Sequence, residues 1–149
     1  MFKKYYDEYS DNLNKGLEKT GVFWAFNKEQ FNENKTHKNA PDDEYLSIGD
    51  GGYIHKSNKK NFDNFFKKIV PKLKEDLKSK INIDDLIEYE LENHECYYIN
   101  DYTEVVIIVH DFYKELPIPD IVNKVKNVFN STKDKHLSNY DLEETNIGI

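Results

Sequence analysis

Tyr102-Thr103-Glu104-Val105-Val106-Ile107-Ile108-Val109-His110-Asp111-Phe112-Tyr113-Lys114-Glu115-Leu116 admits two readings. Five consecutive β-branched residues, Val105 to Val109, favour a buried strand, because branching at Cβ suits a pleated surface. The flanks favour a helix: Asp101 and Thr103 offer capping groups in front, and Lys114 places a cation behind. We read the segment as a helix. The chain then becomes an α+β protein, mostly helical, with a small antiparallel sheet or hairpin packed on about five or six helices.

Toward the C-terminus, Pro119 is preorganised for the first turn of a last helix carrying Ile121, Val122, Val125, Val128 and Phe129 at helical spacing. From Asn130 the chain turns polar. Residues 1–130 are therefore expected to form a single globular domain and 131–149 a polar, partly disordered tail. Toward the N-terminus, Asp84 or Asp85 starts a helix with Ile87, Leu91 and His94 on one side. Ser57 or Asn58 caps another, with an apolar stripe of Phe62, Phe65, Phe66, Ile69, Leu73 and Leu77. Pro71 lies inside that helix, lacks a backbone donor, and predicts a kink or break near Lys67–Val70.

Tyr45–Ile48 and Tyr53–His55 read as strands joined by the turn Gly49-Asp50-Gly51-Gly52, and Val22–Phe26 as a third extended segment. Asn27, with Gln30 three residues on, is a capping box for a short helix to about Asn34. Phe2, Tyr6, Tyr9, Leu13 and Leu17 line one face of a first helix that ends before Gly21. Phe23, Phe26, Ile48, Phe62, Phe66, Ile69, Leu91 and Val106 are the expected core.

With 149 residues the chain can bury a continuous core. Eleven Tyr, nine Phe and one Trp offset an apolar fraction of only 38%. Cys96 is the only cysteine, which excludes an internal disulfide and a cysteine-based zinc site within one chain. No apolar run approaches the ~20 residues that span a bilayer. Asp7 and Glu8 break the N-terminal segment before a signal-peptide core can form. A reducing cytoplasm and no membrane partner are expected. All 21 basic residues are Lys. Without guanidinium forks for phosphate or guanine, direct sequence-specific DNA binding is not expected.

Charge is segregated. Residues 56–80 hold nine Lys against Asp63, Glu75 and Asp76, whereas residues 84–95 hold six carboxylates and no Lys. Asp84, Glu88, Glu92 and Glu95 fall on one helical stripe. Such a stripe imitates a run of phosphates, or is a solvated face paired with Lys67, Lys74 or Lys78. The Lys-rich helix likewise reads as a phosphate-contacting or a merely solvated face, and the net charge of −7 opposes the former.

Four other constellations are weaker. Gly49 to Ser57 imitates a phosphate loop with Lys56 and Ser57 in the basic and hydroxyl places, but no Gly precedes Lys56, so a tight turn is the plainer reading. Glu90 and His94 share a helix face beside Glu95 and could begin a metal site if His55 or His110 joined them. No third ligand is evident, and we expect no metal, no cofactor and a structural His94 supporting Asn93 and Tyr97-Tyr98. Cys96 with His94 or His110 makes a nucleophile and base, against a packed, inert thiol as the plainer reading. A ligand site would draw on Gly51, Gly52, Lys56, Asn93 and His94.

Three blocks carry a resemblance: Gly21-Val22-Phe23-Trp24-Ala25-Phe26-Asn27-Lys28-Glu29-Gln30-Phe31, Ser47-Ile48-Gly49-Asp50-Gly51-Gly52-Tyr53-Ile54-His55-Lys56-Ser57-Asn58, and Tyr89-Glu90-Leu91-Glu92-Asn93-His94-Glu95-Cys96-Tyr97-Tyr98. In order and spacing they resemble a family of short, functionally uncharacterised proteins of phages, plasmids and other bacterial mobile elements, over roughly Thr20 to Val125. Asp50 departs from the small residue of that pattern. The resemblance implies no activity. It implies a mobile-element setting, in which small acidic proteins often inhibit host defence, including anti-CRISPR proteins that occupy an effector's nucleic-acid path. The expected function is thus a non-enzymatic inhibitor. It would bind a host protein or ribonucleoprotein complex through the acidic face Asp84, Glu88, Glu92 and Glu95. The alternative is a small enzyme or ligand-binding domain with a site between the Gly49–Gly52 turn and the His94 helix.

Overall fold

Turn chemistry sets the sheet. In the computed structural model, which describes residues 1–147 with side chains through Ser138, Asp50 and Gly51 have φ of 51° and 80°. Two successive positive φ values suit the right-handed twist of a hairpin. They join β2 (Tyr45–Gly49) to β3 (Gly52–His55), with a bulge between Ser47 and Gly49. β1 (Phe23–Trp24) pairs antiparallel on the other side of β3, giving the order β1-β3-β2. The fold class is α+β and mostly helical, as the sequence predicts.

The chain divides into two compact units, Lys3–Leu77 and Met1–Phe2 with Lys78–Ile149. The first contains the sheet. It starts from α1 (Phe2–Lys19), and α2 (Lys28–Asn34) follows β1. Asn27 caps α2, its Oδ1 accepting from Gln30 N at 2.8 Å. Gln30 Oε1 in turn accepts from Phe26 N at 2.9 Å, one residue beyond the usual capping box. Rings fill the sheet face: Phe23 meets Phe31 and Tyr45 edge-on at 5.5 Å and stacks on Tyr53 at 5.9 Å.

After β3 come a 3-10 turn (Lys56–Asn58), α3 (Lys59–Asn64), a π turn (Phe65–Ile69) and α4 (Val70–Lys80). The π turn sits just before Pro71, where the sequence predicts a kink or break. Proline has no N–H to give the carbonyl four residues back, and its ring crowds that carbonyl; a wider turn relieves both. The extra residue rotates everything around it. Phe65 (5% exposed) and Val70 are buried, whereas the expected core residues Phe66 (45%) and Ile69 are exposed. The Phe65 ring lies where a Cβ on Gly16 of α1 would stand. Phe26, also expected in the core, is 78% exposed. Phe23 and Leu91 are buried as expected, and Ile48, Phe62 and Val106 are half-buried.

The second unit is helical: α5 (Ile83–Asn93), the single turn α6 (Cys96–Ile99), α7 (Thr103–Phe112) and α8 (Ile118–Ile147). Asn82 caps α5, its Oδ1 accepting from Asp84 N at 2.8 Å. The β-branched run is helical. Val105, Val109 and Phe112 recur at four and three residues and are buried, while Ile107 faces outward. The flanking signals therefore outweigh β propensity, and packing of one face stabilises the helix. Ile87, Leu91, Val105, Val109, Ile121 and Val125 form a fully buried cluster with Cys96 and Tyr97.

α8 continues past residue 130, where the tail was expected to begin. Thr132 accepts or donates at 2.6 Å with Tyr97 Oη, and His136 is buried with its ring stacked on Tyr97 at 4.5 Å. The side chains of the rest of that tail, 139–149, lie outside the described residues. Among the described residues no helix is long and apolar enough to cross a membrane.

Candidate functional site

The acidic face rests on α5. Asp84 and Glu92 are exposed there, joined by Asp85. Glu95, expected on the same stripe, is exposed but lies beyond the end of α5, in a left-handed corner (φ 55°) that breaks the helical period before α6. Asp84, Asp85 and Glu95 have no ion-pair partner among the described residues. Glu88 differs from its neighbours on the stripe. Its Oε1 accepts from Lys135 Nζ at 2.7 Å and from His136 Nε2 at 2.9 Å, both on α8. Those partners, Lys135 foremost, hold the Glu88 carboxyl below the usual carboxylate range. One of the four carboxylates proposed for a partner is thus already engaged inside the fold. Glu92 touches His136 Nδ1 only at 3.8 Å and keeps an exposed side chain.

His94 ends α5 and bridges two carboxylates. Its Nε2 is 3.2 Å from buried Glu90, and its Nδ1 is 3.4 Å from Glu104 of α7. His94 thus ties the end of α5 to α7 through carboxylates. Tyr98 is exposed, and Tyr97 stacks on Phe129 and His136. No group of three His, Cys, Asp or Glu side chains suited to a metal ion occurs among the described residues. Cys96 is 1% exposed; burial, with Glu104 and Asp101 nearby, pushes its thiol above the usual value. A protonated, inaccessible thiol is a poor nucleophile.

Of the expected ligand residues, Gly51, Gly52 and Lys56 lie in the Lys3–Leu77 unit, while Asn93 and His94 lie in the other. Gly51 lines a cleft of about 590 Å³ with Phe26, Asn27, Lys28, Phe31, Asp42, Tyr45 and Tyr53. Phe26 is exposed there but not loose. Its N–H is held by Gln30, Ala25 N donates to Gly51 O at 2.9 Å, and a Cβ on Gly51 would stand 2.6 Å from its ring. The cleft thus joins the first two blocks of the resemblance. Its walls can hold a flat ring by stacking, with Lys28 and Asp42 3.8 Å apart at its charged edge. Period-two burial across Phe23, Trp24, Ala25 and Phe26 was the signal available in the sequence for an outward Phe26.

A family model described as a family of unknown function (DUF7659) matches residues 5–135, and the chain belongs to that family. No curated protein and no solved structure matches the chain.

Proposed function

We propose that this family member is an accessory protein of a phage or other mobile element, working in the bacterial cytoplasm. It would bind and inhibit a host nucleic-acid-acting defence complex, in the manner of an anti-CRISPR protein. The observation that carries the reading is the exposed acidic face of α5, where Asp84, Asp85 and Glu92 project without a lysine between them and exposed Glu95 follows in the corner after the helix. Carboxylates at helical spacing present charges that a Lys- and Arg-lined nucleic-acid channel accepts. Glu88 is a fixed support of that face rather than part of its contact surface, because Lys135 pairs with it and His136 hydrogen-bonds it.

The test is capture of the partner from host lysate with wild-type protein, identification by mass spectrometry, and affinity measurement at two salt concentrations. The double reversal Glu92→Lys with Glu95→Lys leaves the fold intact, since exposed substitutions typically change stability by within ~0.5 kcal/mol. It is expected to abolish capture, and salt is expected to weaken the wild-type complex. A complex that tolerates both the reversal and the salt sinks the proposal.

A ligand-binding domain is the second reading, favoured by the aromatic cleft around Phe26. Nucleotides or aromatic amino acids that perturb Tyr53 and Phe31 signals in NMR titrations, with no effect after Phe26→Ala, would support it.

A further inference from the structure

We propose that Ser57 is a nucleophile, activated by His55 with Glu44 as its positioning residue, that accepts an acyl group from an ester carrying a negative charge. The three side chains form one hydrogen-bonded line. His55 Nε2 lies 2.8 Å from Glu44 Oε2, and His55 Nδ1 lies 2.7 Å from Ser57 Oγ.

A backbone bond fixes where the protons are. Ser57 N donates to His55 Nδ1 at 3.2 Å. An amide N–H bonds only to a ring nitrogen that has a lone pair, so Nδ1 carries no proton and Nε2 carries one. Nε2–H then donates to Glu44, and the Ser57 hydroxyl donates to Nδ1. A hydroxyl, an imidazole lone pair and a carboxylate on the far nitrogen are the parts that a nucleophile, its base and the orienter of that base require.

The surroundings suit the same role. His55 is 6% exposed and cannot swing away, with His37 stacked on it at 4.0 Å and Tyr45 edge-on at 5.2 Å. Tyr45 Oη donates to His37 O at 2.8 Å and accepts from His37 N at 3.0 Å, which anchors that stack. The His55 bond, and after it Lys56, holds the Glu44 carboxyl below its usual range, so it is ionised where an imidazolium would need it. Ser57 itself is exposed to an incoming electrophile. A turn that only needed its N–H capped by His55 would require neither the hydroxyl nor Glu44.

The charge of the substrate follows from the neighbouring depression, lined by Lys56, Lys59, Lys60, Lys67, Asp63 and Asn64. Lys59 is committed to Asp63 at 2.6 Å and Lys56 approaches Glu44 at 3.5 Å, whereas Lys60 and Lys67 are exposed. Four ammonium groups against one carboxylate favour an anionic group on the substrate.

In the reaction, Ser57 Oγ attacks the ester carbonyl carbon while its proton passes to His55 Nδ1. The bond to the alcohol oxygen breaks and that oxygen takes the proton. A water molecule then gives a proton to Nδ1, adds to the acyl-serine, and releases the carboxylic acid as Ser57 regains its proton. Ester and water become acid and alcohol. The proposal is independent of the docking face on α5.

Treating the full chain with a fluorophosphonate probe, followed by peptide mass mapping, tests it. One adduct on Ser57 is expected, and none on Ser57→Ala. Glu44→Gln is expected to slow labelling by at least about tenfold at unchanged melting temperature, with partial rescue by Glu44→Asp. A p-nitrophenyl ester ending in a carboxylate should be hydrolysed in preference to its uncharged analogue, a preference lost in Lys60→Gln with Lys67→Gln. An unlabelled wild type, a label elsewhere, or wild-type labelling of Glu44→Gln overturns the nucleophile. An unchanged ester preference in the lysine variant overturns the anionic substrate.

Discussion

The two units bury apolar surface by different means. In the Lys78–Ile149 unit the fully buried side chains are mostly aliphatic and sit on helices of unbroken period. In the Lys3–Leu77 unit, rings meet edge-on around a short sheet, and the helix that follows changes period at the π turn. Charge divides the same way. Residues 78–149 hold 15 carboxylates against 7 Lys, and residues 3–77 hold 13 against 14. Where period is constant, position along a helix dictates burial. Where one extra residue enters a turn, adjacent identical residues acquire opposite fates.

Phe65 and Phe66 are the sharpest case, and the largest expected effect. Phe65→Ala is expected to cost about 3–5 kcal/mol, as truncation of a buried ring does. Phe66→Ala should stay below about 1 kcal/mol. Urea unfolding followed by the fluorescence of Trp24, the chain's one tryptophan, measures both. Equal costs would mean that the π turn does not set the register.

Tyr97 breaks the aliphatic pattern of its unit and supplies the next effect. Burial, the largest influence, pushes its phenol up to about 12. A raised pKa favours the protonated form in the native state. Its contribution is therefore fully present below the ordinary value of ~10 and lost as pH rises toward 12, a difference on the order of 3 kcal/mol. Tyr97→Phe should flatten the alkaline decline in denaturant stability across that window. Parallel declines in the two proteins would show that the phenol is not buried as described.

The smallest effect belongs to the sheet unit. Asn27→Ala removes the cap on α2 and should lower stability by about 1 kcal/mol. Because the cap and Gln30 together hold Phe26, the same change should raise hydrogen exchange at the Phe26 and Gln30 amides. Unaltered exchange there would separate the cap from the posture of the cleft.

Much of this was legible in the residues. Pro71 announced the irregular turn, Asn27 and Gln30 the cap, and Asp50-Gly51 the hairpin, because each carries its geometry locally. The rotation after the π turn was not legible, since a period of 3.6 cannot say whether one residue is accommodated by a kink or by a wider turn. Thr132 and His136 looked like tail because a polar residue shows its partner only in space, here Tyr97 and Glu88. The Glu44–His55–Ser57 line was hidden for the same reason, as Glu44 lies eleven positions before His55.

Cys96 gives the chain a practical blank. Its one thiol is enclosed and protonated, so a maleimide dye finds little to react with on the native surface. A cysteine introduced at an exposed position such as Ile107 would then take the dye almost alone, with no background thiol to delete first. The same enclosure makes unlabelled protein its own clock: the rate at which a thiol reagent reaches Cys96 reports how often the α5–α8 core opens.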